Sequence, residues 1–108
     1  MAEHTPITVS ALNEYVAGLI GTDERLRNLS VLGEISNFKR HSSGHLYFSL
    51  KDTGAVIRCV MFRSYAAALR MDVSDGTRVL ARGYVSVYQR DGQYQLYVQG
   101  LEPQGLGA

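Results

Sequence analysis

Cysteine is scarce in this chain: its 108 residues include one. No intramolecular disulfide framework is therefore possible, and nothing points to export. That cysteine, Cys59, lies in the run Val56-Ile57-Arg58-Cys59-Val60-Met61, where a thiol acts as a small buried hydrophobe rather than a nucleophile. Long apolar runs are missing as well. No stretch approaches the roughly 18 residues of a membrane span. The start, MAEHTPITVS, has neither the basic head nor the apolar run of a signal peptide. A cytoplasmic protein with no membrane partner is expected.

The residues of catalysis are equally thin. There is no phosphate-binding or dinucleotide glycine pattern. His4, His41 and His45 are the three histidines. His41 and His45 are four apart, but Gly44 and the hairpin character of the segment spoil a helical metal pair. No acid lies between Phe38 and Lys51 to complete a ligand set. Ser42 and Ser43 have no acid within the loop to orient either imidazole as a base. The expectation is a chain with no catalytic residues, no metal and no cofactor, and not an enzyme by itself. Repeats and low-complexity segments are absent too.

A net charge of +1 hides an uneven distribution. Residues 1–34 carry five acids and two bases, whereas residues 35–63 carry five bases and one acid, with His41 and His45 in addition. Residues 64–108 carry four of each and cancel. The positive field is thus concentrated mid-chain, where it can steer an anionic partner.

Leu12, Tyr15, Val16, Leu19 and Ile20 recur at helical spacing, so a helix is expected over about 10–21, capped by Ser10, ended by Gly21 and plugging one end of the strands. From Leu29 the period falls to two. Leu29, Val31 and Ile35 share one parity and Leu32 and Phe38 the other, which predicts a bulge at the intervening Gly33. Leu46, Phe48 and Leu50 alternate with Tyr47, Ser49 and Lys51 in a second strand. After Asp52-Thr53-Gly54, a turn with glycine at positive φ, a third strand covers 55–62. Arg58 interrupts it and should point outward, because burying an unpaired guanidinium is prohibitive. A short helix over 64–71, capped by Ser64, follows. Strand four, 77–88, places Val79, Ala81, Val85 and Val87 inward and Arg82, Tyr84 and Tyr88 outward. Asp91-Gly92 turns a hairpin into strand five, 93–101, with Tyr94, Leu96 and Val98 on one parity and Gln95, Tyr97 and Gln99 on the other. Residues 102–108 read as a glycine-rich tail.

The segment of most interest is the turn Lys39-Arg40-His41-Ser42-Ser43-Gly44-His45. Phe38 precedes it and Tyr47 and Phe48 follow. Cations beside flat rings suit a single strand of nucleic acid, since phosphates need counter-charges and bases stack on rings at about 1–3 kcal/mol each. Lys39, Arg40 and Arg63 are the best phosphate contacts, Arg58 and Arg90 add to them, and Phe38, His41 and His45 are expected to contact the nucleic acid as well. Tyr47, Tyr84 and Tyr88 are candidate stacking rings. Phe62 serves either as a ring or in the core, and Phe48 belongs to the core by parity.

Five strands with a helix between the third and fourth is the order of the OB-fold, whose loops after strands one and four flank a binding groove. A mainly β, five-stranded OB-fold barrel over about 28–102, preceded by the helix, is therefore expected as a single domain spanning 1–108. The segments Gly33-Glu34-Ile35-Ser36-Asn37-Phe38, SSGHLYFSLKD, Val60-Met61-Phe62-Arg63 and VSVYQRDGQYQLYV resemble the N-terminal domain of the exodeoxyribonuclease VII large subunit. The resemblance runs from the TVSALNEYV helix to Glu102-Pro103. It implies an OB-fold that holds single-stranded DNA for a bacterial nuclease whose catalytic domain comes later. It also implies a small subunit bound elsewhere in the full-length protein, not through this domain. The competing expectation is a protein-interaction module that docks the catalytic domain or a partner subunit with the same face.

Overall fold

A computed structural model describes residues 4–104. The helix α1 spans Val9–Thr22, α2 Glu24–Arg27 and α3 Arg63–Ala66. The strands are β1 Leu29–Arg40, β2 Leu46–Lys51, β3 Val56–Met61, β4 Arg78–Tyr88 and β5 Gln93–Pro103. They close into one barrel in the order β1-β2-β3-β5-β4. Neighbours run antiparallel except β3 and β5, which are parallel and paired at Cys59–Leu96 and Val60–Tyr97. The expected five-stranded barrel, with a helix before β1 and a short one after β3, is the one found; α2 was not expected, and α3 is shorter than the expected 64–71.

The core is built from the inward parity of each strand. Ile35, Leu46, Met61, Val79, Ala81 and Leu96 are all fully buried. Cys59 lies among them, and burial pushes its thiol up to about 12, against a smaller lowering by a backbone hydrogen bond at Leu50. At neutral pH it is therefore protonated and inert.

Several local details differ from expectation, each for a physical reason. Thr8, not Ser10, caps α1, its Oγ1 accepting from the Ala11 amide at 3.0 Å. The helix passes through Gly21 and stops at Thr22. Asp23 then donates its amide to Ile20 and accepts from the Leu26 amide at 3.1 Å, ending one helix and starting the next. The apolar row does not plug the barrel as expected. Of it, Ile20 packs against the core, whereas Leu12, Tyr15, Val16 and Leu19 face outward, Leu19 at 55% exposure. The smaller face turns inward instead, with Ala17 half-buried and the Asn13 amide donating to the Gln89 carbonyl at 2.8 Å.

Gly33 is not a bulge. The β1–β4 register runs unbroken through it, and the β1–β2 irregularity lies between Ser36 and Lys39. Asn37 takes a positive φ of 52° there. Gly33 marks instead where β1 passes from β4 to β2, since Glu34 pairs with both Arg78 and Lys51. A Cβ on Gly33 would lie 3.3 Å from the Lys51 carbonyl oxygen. The bulge frees the Phe38 amide, and the Asp75 carboxylate accepts it at 2.8 Å. A charged acceptor on an amide contributes about 1.5–3 kcal/mol. Because this bond is exposed, Asp75→Ala is expected to lower stability by about 1–2 kcal/mol. Urea denaturation measures this, and an unchanged midpoint would remove the bond from the account of the bend.

Gly54 has no positive φ. The Asp52 carboxylate holds that turn by accepting from the amides of Gly54 and Ala55 at 2.8 and 2.9 Å. Ser64 lies inside α3 and does not cap it. Tyr94, which shares the parity of the buried Leu96, is 61% exposed near the start of β5. Glu102 and Pro103, assigned to a tail, complete β5, and residues 105–108 lie outside the described residues. No helix of the described residues is long and apolar enough to cross a membrane.

Candidate nucleic-acid interface

Strand register assembles the site. On the outer face of the barrel Lys39 pairs with Tyr47, Tyr47 with Val60, Val60 with Tyr97, and Tyr97 with Tyr84. One row of side chains thus crosses β1, β2, β3, β5 and β4 in that order. Beside it, Ser49 pairs with Arg58 and Gln95 with Ser86. Val60 shares the outward parity of Arg58, yet it is buried, flanked in the row by Tyr47 and Tyr97.

The rings form a continuous ladder. Tyr84 and Tyr97 stack at 5.3 Å with 13° between their planes. Tyr97 and Phe62 follow at 5.8 Å, then Phe62 and His45 edge-on at 5.4 Å. Burial, with the neighbouring Tyr84 and Tyr88 phenols, raises the Tyr97 hydroxyl above its ordinary value. The phenol therefore stays neutral at physiological pH.

Two hollows open along these rows. One, of about 390 Å³, is walled by Tyr47, Val60, Phe62, Tyr88, Gln95 and Tyr97. The other, of about 400 Å³, adjoins it through Tyr47, Val60 and Gln95 and holds the cations Lys39 and Arg58 with Asn37 and Ser49. A ring-lined hollow next to a cationic one matches the base and phosphate of a nucleotide. A larger hollow of about 520 Å³ lies between α3 and the end of β5. It mixes Arg70 and Arg82 with Glu102 and offers no comparable positive field.

The basic turn is ordered by its own histidines. The His41 amide donates to the His45 carbonyl at 2.9 Å, and the His41 imidazole accepts from the Ser43 amide while standing edge-on to Tyr47 at 6.2 Å. Gly44 takes φ 94°. His45 Nδ1 accepts from the Arg63 amide at 2.9 Å, which caps α3 where Phe62 supplies no side-chain bond. Both histidines therefore brace the turn, His41 from its exposed surface and His45 from its half-buried base. Among the described residues no three His, Cys, Asp or Glu side chains gather as a metal would require.

The site residues expected from sequence thus separate. Lys39, Tyr47, Arg58, Phe62, Tyr84 and Tyr88 come together on the groove. Arg63 is exposed beside Gly44, whose added Cβ would lie 3.1 Å from the Arg63 Cβ. Arg90 is exposed at the far hairpin. Phe38 does not present a free face: its ring packs on the core at 6.4 Å from Phe48, with the Arg40 guanidinium over it at 5.8 Å. The bulge at Asn37 turns it inward. Sequence reasoning missed Tyr97, Gln95 and Val60 as groove residues. The outward parity of Gln95 and Tyr97 was legible, but their approach to β3 depends on the parallel β3–β5 pairing.

Known proteins resemble this chain in sequence and in fold. The exodeoxyribonuclease 7 large subunit of Ruminiclostridium cellulolyticum is 48% identical over 101 residues, and that of Clostridium botulinum strain Loch Maree 54% over 101 residues. Each alignment covers 94% of this chain, which spans about a quarter (25%) of the length of those relatives. Among solved structures, asparaginyl-tRNA synthetase from Pyrococcus horikoshii complexed with asparaginyl-adenylate aligns with 73% of this chain and 20% of its own, at a TM-score of 0.57 and 17% identity. A replication protein A heterotrimer bound to single-stranded DNA covers 73% of this chain and 58% of its own, at a TM-score of 0.58 and 15% identity. These two share the fold. A model of the OB-fold nucleic acid binding domain matches residues 7–102, and the chain belongs to that family.

Proposed function

We propose that this domain binds single-stranded DNA across its outer face and holds it for a bacterial exodeoxyribonuclease VII. The observation that carries the reading is the row Lys39-Tyr47-Val60-Tyr97-Tyr84, which sets rings and a cation along one line across the strands. Bases stack on Tyr47, Phe62, Tyr88 and Tyr97, while Lys39 and Arg58 in the groove, with Arg40, Arg63 and Arg90 at its rims, neutralise phosphates. The relatives' name supports a DNA substrate, as does the positive balance of residues 35–63. Hydrolysis and the small subunit belong to the remainder of the full-length cytoplasmic enzyme.

Salt dependence tests this. With about three of these five cations engaged on phosphates at once, log K against log[salt] is expected to slope near −2, from about 0.7 per phosphate on a single strand. Arg58→Ala is expected to reduce that slope by about 0.7, whereas Tyr47→Ala should cost about 1–3 kcal/mol with the slope unchanged. Fluorescence titration of a labelled oligonucleotide at several salt concentrations, with duplex as control, gives both numbers. Binding insensitive to salt, or equal for duplex, sinks the reading.

A second reading, a docking module, draws on α1. Its outward row Leu12, Tyr15, Val16 and Leu19 is an apolar face of the kind that marks interaction sites. It is separate from the groove, so the two roles are compatible.

A further inference from the structure

Gln95 stands alone among the described residues as a buried polar side chain, 8% exposed on the outward parity of β5. Its place calls for explanation, because it borders both hollows, between the rings of one and the cations of the other. Its amide takes part in none of the side-chain hydrogen bonds found among the described residues. Nor is any of its polar atoms sealed inside the protein without a partner. The amide therefore opens into the groove with its hydrogen bonds unspent. An amide carries an acceptor oxygen and two donor hydrogens, and the bases order donors and acceptors differently along their edges, so an amide held in one orientation matches some bases and not others. Phosphates at this point are already served by Lys39 and Arg58, so the unserved group is the base.

We propose that Gln95 reads the edge of the base held by the neighbouring rings, so that the domain discriminates among bases at this position. The proposal rests on the single-strand reading above and adds to it a polar contact that distinguishes bases. Stacking alone is tolerant of base identity, whereas an amide–base pair discriminates by about 1–3 kcal/mol, which corresponds to at least about fivefold in affinity.

The test compares oligo-dC and oligo-dT binding to the wild type, Gln95→Glu and Gln95→Met, each first checked for native thermal unfolding. Glutamate only accepts hydrogen bonds, so it favours the amino-bearing cytosine edge over thymine. The dC:dT affinity ratio is expected to rise by about fivefold or more in Gln95→Glu, against an added repulsion common to both strands. In Gln95→Met, which keeps the length but not the amide, the two affinities should converge, with the salt slope unchanged. A ratio that stays at the wild-type value in both variants overturns the proposal, and so does an equal loss on both strands in Gln95→Met, which would make Gln95 a mere wall of the groove. Should a variant fail to fold, wild type with oligo-dT methylated at thymine N3 decides: a fivefold loss supports edge reading and no loss overturns it. If wild type binds no single strand at all, the single-strand reading itself fails, an outcome distinct from each of these.

Discussion

Gly83→Ala is expected to destabilise the domain by about 3 kcal/mol or more, and Gly100→Ala by less than about 1 kcal/mol, although both glycines lie near the same irregularity. The β4–β5 register shifts between Arg82–Gly100 and Gly83–Val98, leaving Gln99 as the extra residue. This bulge presses the Tyr97 carbonyl onto Gly83, so an added Cβ would collide with that oxygen and lie 3.1 Å from the Val98 Cα. Those are backbone atoms, and they cannot retreat without breaking the ladder that closes the barrel. At Gly100 the nearest obstacle, 2.7 Å away, is the end of the Arg82 side chain, which simply rotates aside. Against a total stability of about 5–15 kcal/mol for a domain, the first change takes a large fraction. Urea denaturation of the two variants side by side measures the difference. Equal midpoints would mean that the close approach carries no energetic weight.

Tyr97→Ala is expected to weaken single-strand binding by about 3 kcal/mol, at the upper end of what one stacked base contributes and roughly 150-fold in affinity. Tyr97 is the middle of the ladder, stacked on Tyr84 and tilted onto Phe62, and it pairs with Val60 across β3. Its loss removes one ring from the wall and leaves the rings on either side unbraced. The aromatic contacts also contribute about 0.5–1.5 kcal/mol per pair, so a moderate loss of stability is expected alongside. Tyr97→Phe keeps the ring and should restore most of the affinity. Titration of a labelled oligonucleotide with the three proteins, each confirmed folded by circular dichroism, provides the check. A folded alanine variant that binds like wild type would remove Tyr97 from the interface.

Periodicity by itself determined the strands and most of the core. Leu46, Phe48 and Leu50, like Val79, Ala81, Val85 and Val87, alternate in sequence and are buried as that alternation requires, because a strand sends successive side chains to opposite faces. The order of elements determined the barrel, and the basic turn was legible because charge and rings lie close together along the chain. Tertiary structure alone decided which outward residues meet. Tyr47, Val60, Tyr97 and Tyr84 come from four strands, and what joins them is the parallel pairing of β3 with β5, a contact between segments more than thirty residues apart that no local pattern encodes. It likewise decided that Phe38 turns inward. The bend sits at Asn37, where Asp75 from a distant turn accepts the freed amide, and not at the glycine that short-range parity singled out. The fate of α1 was settled in the same way: its spacing specified a helix, but the face it buries depends on the shape of β4 and of the Gln89 hairpin against which Asn13 docks. Local sequence sets backbone conformation and parity; which faces are covered follows from non-local register, since burial is a property of the neighbours that the closed barrel brings together.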